Sequence, residues 1–374
     1  YQNLAALVSY FNDPTFCRTE CDSIFELINE PEDICESPPV TEQFDGTQDE
    51  AAPPIHTQRL TQWQYRSAIK HVLGKYLGGV VDWLPTDSTT GAIPSNENFD
   101  LPTAEYARYA QAAAWVAEQL LAWDGVDDLW ACPGKKNRAC AKAFIQTRGT
   151  RLFRRPITTD EVDHYLTLYD IGADGSFDEG MQYVLEALLQ SPDFLYQIEL
   201  GPVDSSEEQR LSGLEIATRL SYFLHQQPPS QALLDAAQAG ELDTDEGVAA
   251  WGDNLLADAS QARWGIQQFV MRWLRLDKEY AVEKDPERFP VLTADNVLWG
   301  LRNTVQKWAA YTVLEGDGQL ETLFSAPETI VRLDQAENEF WQVTDADVIA
   351  TSAEFGTVVA LPANERAGLL TNPV

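Results

Sequence analysis

The sequence predicts a mainly α protein: a multi-helix orthogonal bundle with an N-terminal helical arm and a few short strands near the C-terminus. Three observations predict it. Four capping boxes, Thr61-x-x-Gln64, Thr158-x-x-Glu161, Ser176-x-x-Glu179 and Ser212-x-x-Glu215, each precede apolar residues at helical spacing. Trp264, Trp273, Trp299 and Trp308 fall inside further helical runs, where an aromatic stripe is normally core. Only residues 328–333 and 355–361 read as strands. No fixed-period repeat is present, so a solenoid is not expected.

The elements follow in order. Residues 1–58 form an acidic arm with apolar Leu4, Leu7, Val8 and Phe11, then a linker carrying Pro38-Pro39 and Pro53-Pro54. A first helical module is expected over 59–130. Tyr65, Ile69, Val72 and Leu73 share a helix face there, Gly78-Gly79 stops it, and a polar loop leads to a helix over 103–123. A second module, 131–205, holds helices after Thr158 and Ser176, the latter stopped by Ser191-Pro192. A central module, 206–365, begins with the helix after Ser212. Helices over 230–239, 244–257, 260–276 and 293–314 continue it. Residues 366–374 read as the start of a further module.

Composition bounds the function. The 374 residues are 44% hydrophobic, with 11 Trp, 13 Tyr and 15 Phe, enough to bury a core and exclude global disorder. Lys plus Arg number 26 against 59 Asp plus Glu, a net charge of -33. Such a chain repels phosphate backbones and anionic lipid surfaces, so nucleic acid is not an expected partner. No apolar run reaches the roughly 18 residues of a membrane span.

The five cysteines form no C-x-x-C or C-x-x-C-H motif, so neither thioredoxin-like chemistry nor covalent haem attachment is encoded. Cys132 and Cys140 bracket a short loop and are expected to form a disulfide. Cys17 and Cys21 share a face if helical, and one of them, taken as Cys21, can reach Cys35 across Glu30-Pro31-Glu32. The cysteine left over would pair outside this chain. A three-cysteine zinc site is the alternative, without an obvious fourth ligand. Bridges, acidity and a start at Tyr1 favour an extracytoplasmic location.

The most unusual local feature is a positive island. Residues 134–156 carry eight basic side chains and no acidic one: Lys135, Lys136, Arg138, Lys142, Arg148, Arg151, Arg154 and Arg155. One reading is internal pairing, with the acidic arm or with neighbouring helices. The other is an anion or partner surface, such as one for a sulfated or carboxylated glycan. Arg154-Arg155 would then offer bidentate contacts, beside Lys135, Lys136, Arg138 and Arg151. Of the four histidines, His225 ends a helix, where a cation meets the negative end of the dipole; a haem or metal ligand is the sharper reading. Asp174, Asp178 and Glu179 offer oxygen ligands for calcium without EF-hand spacing. No nucleophile elbow, P-loop or dinucleotide fingerprint is present.

Several short motifs, in order, resemble a family of secreted bacterial proteins common in planctomycetes, myxobacteria and marine proteobacteria. Its central module is domain of unknown function 1592, with companions 1587, 1595 and 1588. Arg59-Leu-Thr-Gln-Trp-Gln-Tyr65 resembles its opening module, and Arg151-Leu-Phe-Arg-Arg-Pro-Ile-Thr158 the start of the second. Leu189-Gln-Ser-Pro-Asp-Phe-Leu-Tyr196 closes that module. Ala217-Thr-Arg-Leu-Ser-Tyr-Phe-Leu224 opens the central one, and Arg366-Ala-Gly-Leu-Leu-Thr371 the next. The resemblance covers about residues 59–374. His225 stands where the family usually has Trp. Some members carry a fused haem module and are known as planctomycete cytochrome c proteins. The resemblance implies secretion, a helical fold, and haem or extracellular-polymer modules as neighbours; any haem is expected on a partner or an absent segment.

The functional expectation is a helical assembly or binding component of a cell-surface or extracellular complex. Its expected partners are the C-terminal remainder of the same gene product, another surface protein, or an anionic glycan. The rival is an enzyme acting on an extracellular polymer, or a redox enzyme whose cofactor lies on missing sequence. Convergence of His225 or His164 with carboxylates would favour the rival.

Overall fold

The computed structural model describes residues 57–90, 103–130, 135–200, 211–274, 297–331, 343–362 and 368–371, with isolated residues between them. Cys17, Cys21, Cys35 and the acidic arm lie outside the described residues. The chain is mainly α, as the capping signals require. It forms two compact units, one spanning residues 53–273 and one holding residues 274–374.

In the first unit, strand β1 (Thr57–Arg59) leads into α1 (Gln62–Ala68). Thr61 caps α1 with a complete capping box to Gln64. Helix α2 (Thr103–Leu121) and the short α3 (Val126–Trp130) follow. Asn137 caps α4 (Arg138–Phe144) by accepting from the Ala139 and Cys140 amides. A π-helical turn (Ile145–Gly149) and α5 (Thr150–Phe153) continue it. Sequence patterning did not register this run as helical, because its apolar side chains alternate with the cations of the island.

Helices α6 (Thr159–Ala173) and α7 (Phe177–Leu189) pack at two glycines. A Cβ on Gly172 would meet the Glu179 carbonyl at 2.6 Å, and one on Gly180 the Tyr169 ring at 2.7 Å. Thr158 makes its full capping box with Glu161. Ser176 makes half of one: its Oγ accepts from the Glu179 amide, but the Glu179 carboxylate curls over Gly175, where no Cβ stands in its way. Helix α8 (Pro192–Leu195) runs into strand β2 (Tyr196–Ile198), which pairs antiparallel with β1, Thr57 opposite Ile198.

One core joins these elements. Tyr65, Ile69, Leu120, Phe144, Leu152, Leu166 and Phe194 are all buried in it. Each such side chain contributes about 1.5–3 kcal/mol of apolar burial. The Tyr65 hydroxyl donates to the Leu189 carbonyl at 3.2 Å, which satisfies its only polar group across 124 residues of sequence. The disulfide between Cys132 and Cys140 spans a Cα–Cα distance of 5.6 Å, at the edge of this core.

Four further helices complete the unit: α9 (Gly213–Leu224), α10 (Gln231–Gln238), α11 (Asp245–Ala257) and α12 (Ala259–Trp273). Ser212 and Glu215 form the third full capping box. Ala217, Leu233, Ala237, Leu242 and Leu255 make a second, smaller core.

The second unit packs α13 (Val297–Leu314) and α14 (Leu320–Ser325) with an antiparallel sheet. Its strands are β3 (Glu328–Val331), β4 (Val348–Ser352) and β5 (Gly356–Ala360), in the order β3-β5-β4. Leu301, Val331, Trp341, Val359 and Leu361 form its core. The two strands expected from sequence are the central strand β5 and its neighbour β3, whose side chains are mostly buried or half-buried. Strand β4 is an edge strand whose side chains are mostly exposed, so it carries no alternating pattern to read.

Candidate functional site

The face of α1 opposite the core carries the site. Tyr65, Ala68 and Ile69 point inward and are buried. Trp63, Ser67 and His71 recur every fourth residue on the other side, with Arg66 and Lys70 beside them. The helix widens into a π-helical turn, Ile69–Leu73, where it reaches His71, and Gly74 ends it at φ +83°. Single π turns inside helices recur at functional sites.

These residues line a cleft of about 160 Å³ together with Tyr76, His225 and Trp264. His225 arrives from the C-cap of α9, and Trp264 from α12. The Trp63 and Trp264 rings lie 5.7 Å apart and tilted by 40°, so they form a wedge. The Arg66 guanidinium lies 4.5 Å from the Trp63 ring centre and 5.4 Å from that of Tyr76, held between two aromatic faces. Lys70 Nζ is 6.0 Å from the Trp264 ring.

The charge is one-sided. None of the described lining residues is acidic, and two are permanent cations. His71 is half-buried, and burial, reinforced by Lys70, Arg151 and His225, pushes its pKa down to about 4. His225 is also held below the ordinary histidine value by burial, against the opposing pull of its hydrogen bond to Leu255 and of Asp258. Its Nε2 donates to the Leu255 carbonyl at 2.8 Å. Both imidazoles are therefore neutral at pH 7. The expected cationic cap at the end of α9 is corrected accordingly: His225 is 6% exposed and ties α9 to α11 as a neutral donor.

The positive island splits into used and unused cations. Lys136 pairs with Asp127 at 2.6 Å, and Arg138 holds Asp170 in a bidentate pair at 2.8–3.1 Å. Arg155 bridges Glu161 and Asp193 at 2.7 and 2.6 Å. Arg154 corrects the expected bidentate ligand pair: it is 4% exposed and donates to the carbonyls of Leu152, Asp193, Phe194 and Tyr196 at 2.7–3.1 Å. A left-handed backbone, φ +58°, turns it inward. Lys135 is exposed. Arg148 and Arg151 remain; no ion pair with a carboxylate is found for either among the described residues. Burial lowers both pKa values, and Arg151 Nε is buried with no hydrogen-bond partner. Through Arg151 the island reaches the cleft, since its charge acts on His71.

The calcium candidates do not converge. Among the described residues no three His, Cys, Asp or Glu side chains gather as a metal site. Asp174 caps the end of α6, Asp178 lies 4.0 Å from Lys136, and Glu179 covers Gly175.

Sequence reasoning missed Trp63, Arg66, Lys70, His71 and Trp264 as a set. The available signal was the basic and aromatic spacing 63/66/67/70/71 on the face turned away from the core.

The fold and the cleft thus define a class: a mainly α, disulfide-linked body with a cationic, aromatic-walled cleft. Residues 211–338 match the family model described as PSD4, protein of unknown function (DUF1592). Residues 140–199 match the one described as PSD5, protein of unknown function (DUF1595). No curated protein and no solved structure matches the chain. His225 and Trp264 lie within the first matched segment, Arg148 and Arg151 within the second, and the α1 wall precedes both.

Proposed function

We propose that the chain is a binding component of an extracytoplasmic complex, and that the cleft between α1, α9 and α12 takes an anionic group. The observation that supports this most is the placement of Arg66 and Lys70, with Arg151 close by, in a cleft without acidic lining, on a chain of net charge -33. Within the island, Lys136, Arg138 and Arg155 are drawn to carboxylates and Arg154 to carbonyls. Clustered cations without counter-charges repel one another, and an anion relieves that repulsion.

The disulfide fits an oxidising compartment, and no described helix is long and apolar enough to cross a membrane. The family pattern extends this reading to the flanks: residues 59–130 and 366–374 belong to companion modules, and a haem module is a neighbour rather than a resident. The enzymatic reading calls for carboxylates among the cleft's lining; His225 feels Asp258, but the described lining itself pairs it with His71. The test is titration of the protein with inorganic sulfate, followed by tryptophan fluorescence. Sulfate should change the Trp63/Trp264 signal saturably, and Arg66→Ala should abolish the change. A flat signal in the unaltered protein would remove the proposal.

A further inference from the structure

The walls of the cleft say more than its charge, and this step rests on the anion-binding reading above. We infer that the cleft receives a single acidic sugar ring, bearing a carboxylate or a sulfate, at the end of a saccharide.

Four observations converge. First, the tilted Trp63 and Trp264 rings, 5.7 Å apart, touch each other, and Arg66 and Arg263 cover one face of each; the ring surface left in the cleft is apolar, of the kind against which the C–H side of a pyranose rests. A bare inorganic anion has no use for such walls. Second, Arg66 is already fixed between Trp63 and Tyr76, so little side-chain entropy is lost when it grips a planar carboxylate or a sulfate. Third, Ser67 and the imidazole of His71, kept neutral at neutral pH, offer uncharged donors and acceptors that suit hydroxyls. Fourth, the volume, about 160 Å³, falls below the roughly 300–1,000 Å³ of clefts for drug-sized ligands, which fits one ring.

The terminal position follows from the charge of the whole chain. A long polyanion running past the cleft would lay each further charge against a surface of net charge -33. A single acidic ring meets only the local cations.

The test uses the full chain and four probes followed by calorimetry: galacturonic acid, a galactose sulfate, neutral galactose and inorganic sulfate. At least one acidic sugar should bind roughly tenfold tighter than both galactose and sulfate. Which of the two binds tells carboxylate from sulfate. Trp63→Ala should remove that tenfold advantage, while Trp63→Phe, which keeps a ring for both the sugar and Arg66, restores most of it. Lys70→Ala, at an exposed position, should weaken the acidic sugar and sulfate alike, and remains informative if Trp63→Ala does not fold. Sulfate binding with no preference for either acidic sugar would overturn the sugar inference and leave the anion reading standing. Absence of binding by all four would overturn both. Polygalacturonate binding more tightly than galacturonic acid at low salt would overturn the terminal position.

Discussion

Gly265 lies directly against the backbone carbonyl of Leu224, so that a Cβ on Gly265 would overlap that oxygen. Helices α9 and α12 can approach this closely only because no side chain intervenes. The neighbours of the two residues in sequence are His225 and Trp264, both lining the cleft. Replacing Gly265 by alanine must therefore move one helix off the other. We expect Gly265→Ala to cost about 1–3 kcal/mol by overpacking, read from the urea midpoint. The same variant should red-shift tryptophan emission as Trp264 becomes more hydrated. An unchanged midpoint together with an unchanged spectrum would contradict the contact.

Arg154 and Arg138 both belong to the island and carry opposite consequences. Arg154 satisfies four carbonyls at the junction of α5, α8 and β2, where little water reaches. In Arg154→Met those acceptors lose their donors, at about 1–3 kcal/mol for each one left dry. The expected outcome is loss of several kcal/mol, or no folded protein at all. Arg138 pairs with Asp170 at the surface, and Arg138→Ala should leave the midpoint almost where it was. Denaturant unfolding of both variants decides the matter: similar midpoints would refute the division into structural and surface cations.

Much of this fold was legible from local chemistry. Thr61, Thr158 and Ser212 announce their helices because a capping box is complete within four residues. Cys132 and Cys140 announce their bridge because the loop between them is short. Arg154 was not legible, because its role depends on carbonyls 39–42 residues away and on one left-handed φ. Nor was the cleft, whose walls come from residues 63–76, 225 and 264 and meet only after the helices pack. The position of His225 at a helix end could be read; its neutral state could not, since burial sets it.

The disulfide closes a loop with a sequence separation of 8. Chain entropy alone then gives a stabilisation of about 2.5 kcal/mol. The Cys132→Ser/Cys140→Ser variant should lose about that much unfolding free energy, read as a lower guanidinium midpoint. The α4 helix, held by the Asn137 cap and by Phe144 in the core, should survive. Far-ultraviolet circular dichroism at low denaturant would show this. A variant as stable as the parent would mean that the loop is constrained without the bridge.

Acid should act on this protein in two separate windows, through two groups whose folded pKa values are both depressed. Burial lowers His71 from 6.5 to about 4. The unfolded chain therefore takes up the proton first, and the stability His71 contributes above pH 6.5 drains away as pH falls towards 4. The Arg155 hydrogen bond, with the Thr158 cap, holds Glu161 down from 4.5 to about 2. Its contribution is present above pH 4.5 and is lost as pH falls towards 2. Melting temperature followed from pH 7 to pH 2 should thus decline in both ranges. His71→Gln should make the upper decline shallower, with buried His225 supplying the remainder in the same direction, and should spare the lower range. Arg155→Gln, which removes the partner of Glu161, should do the reverse. A single decline that neither substitution reshapes would show that the summed charge of the chain, rather than these two groups, governs its response to acid.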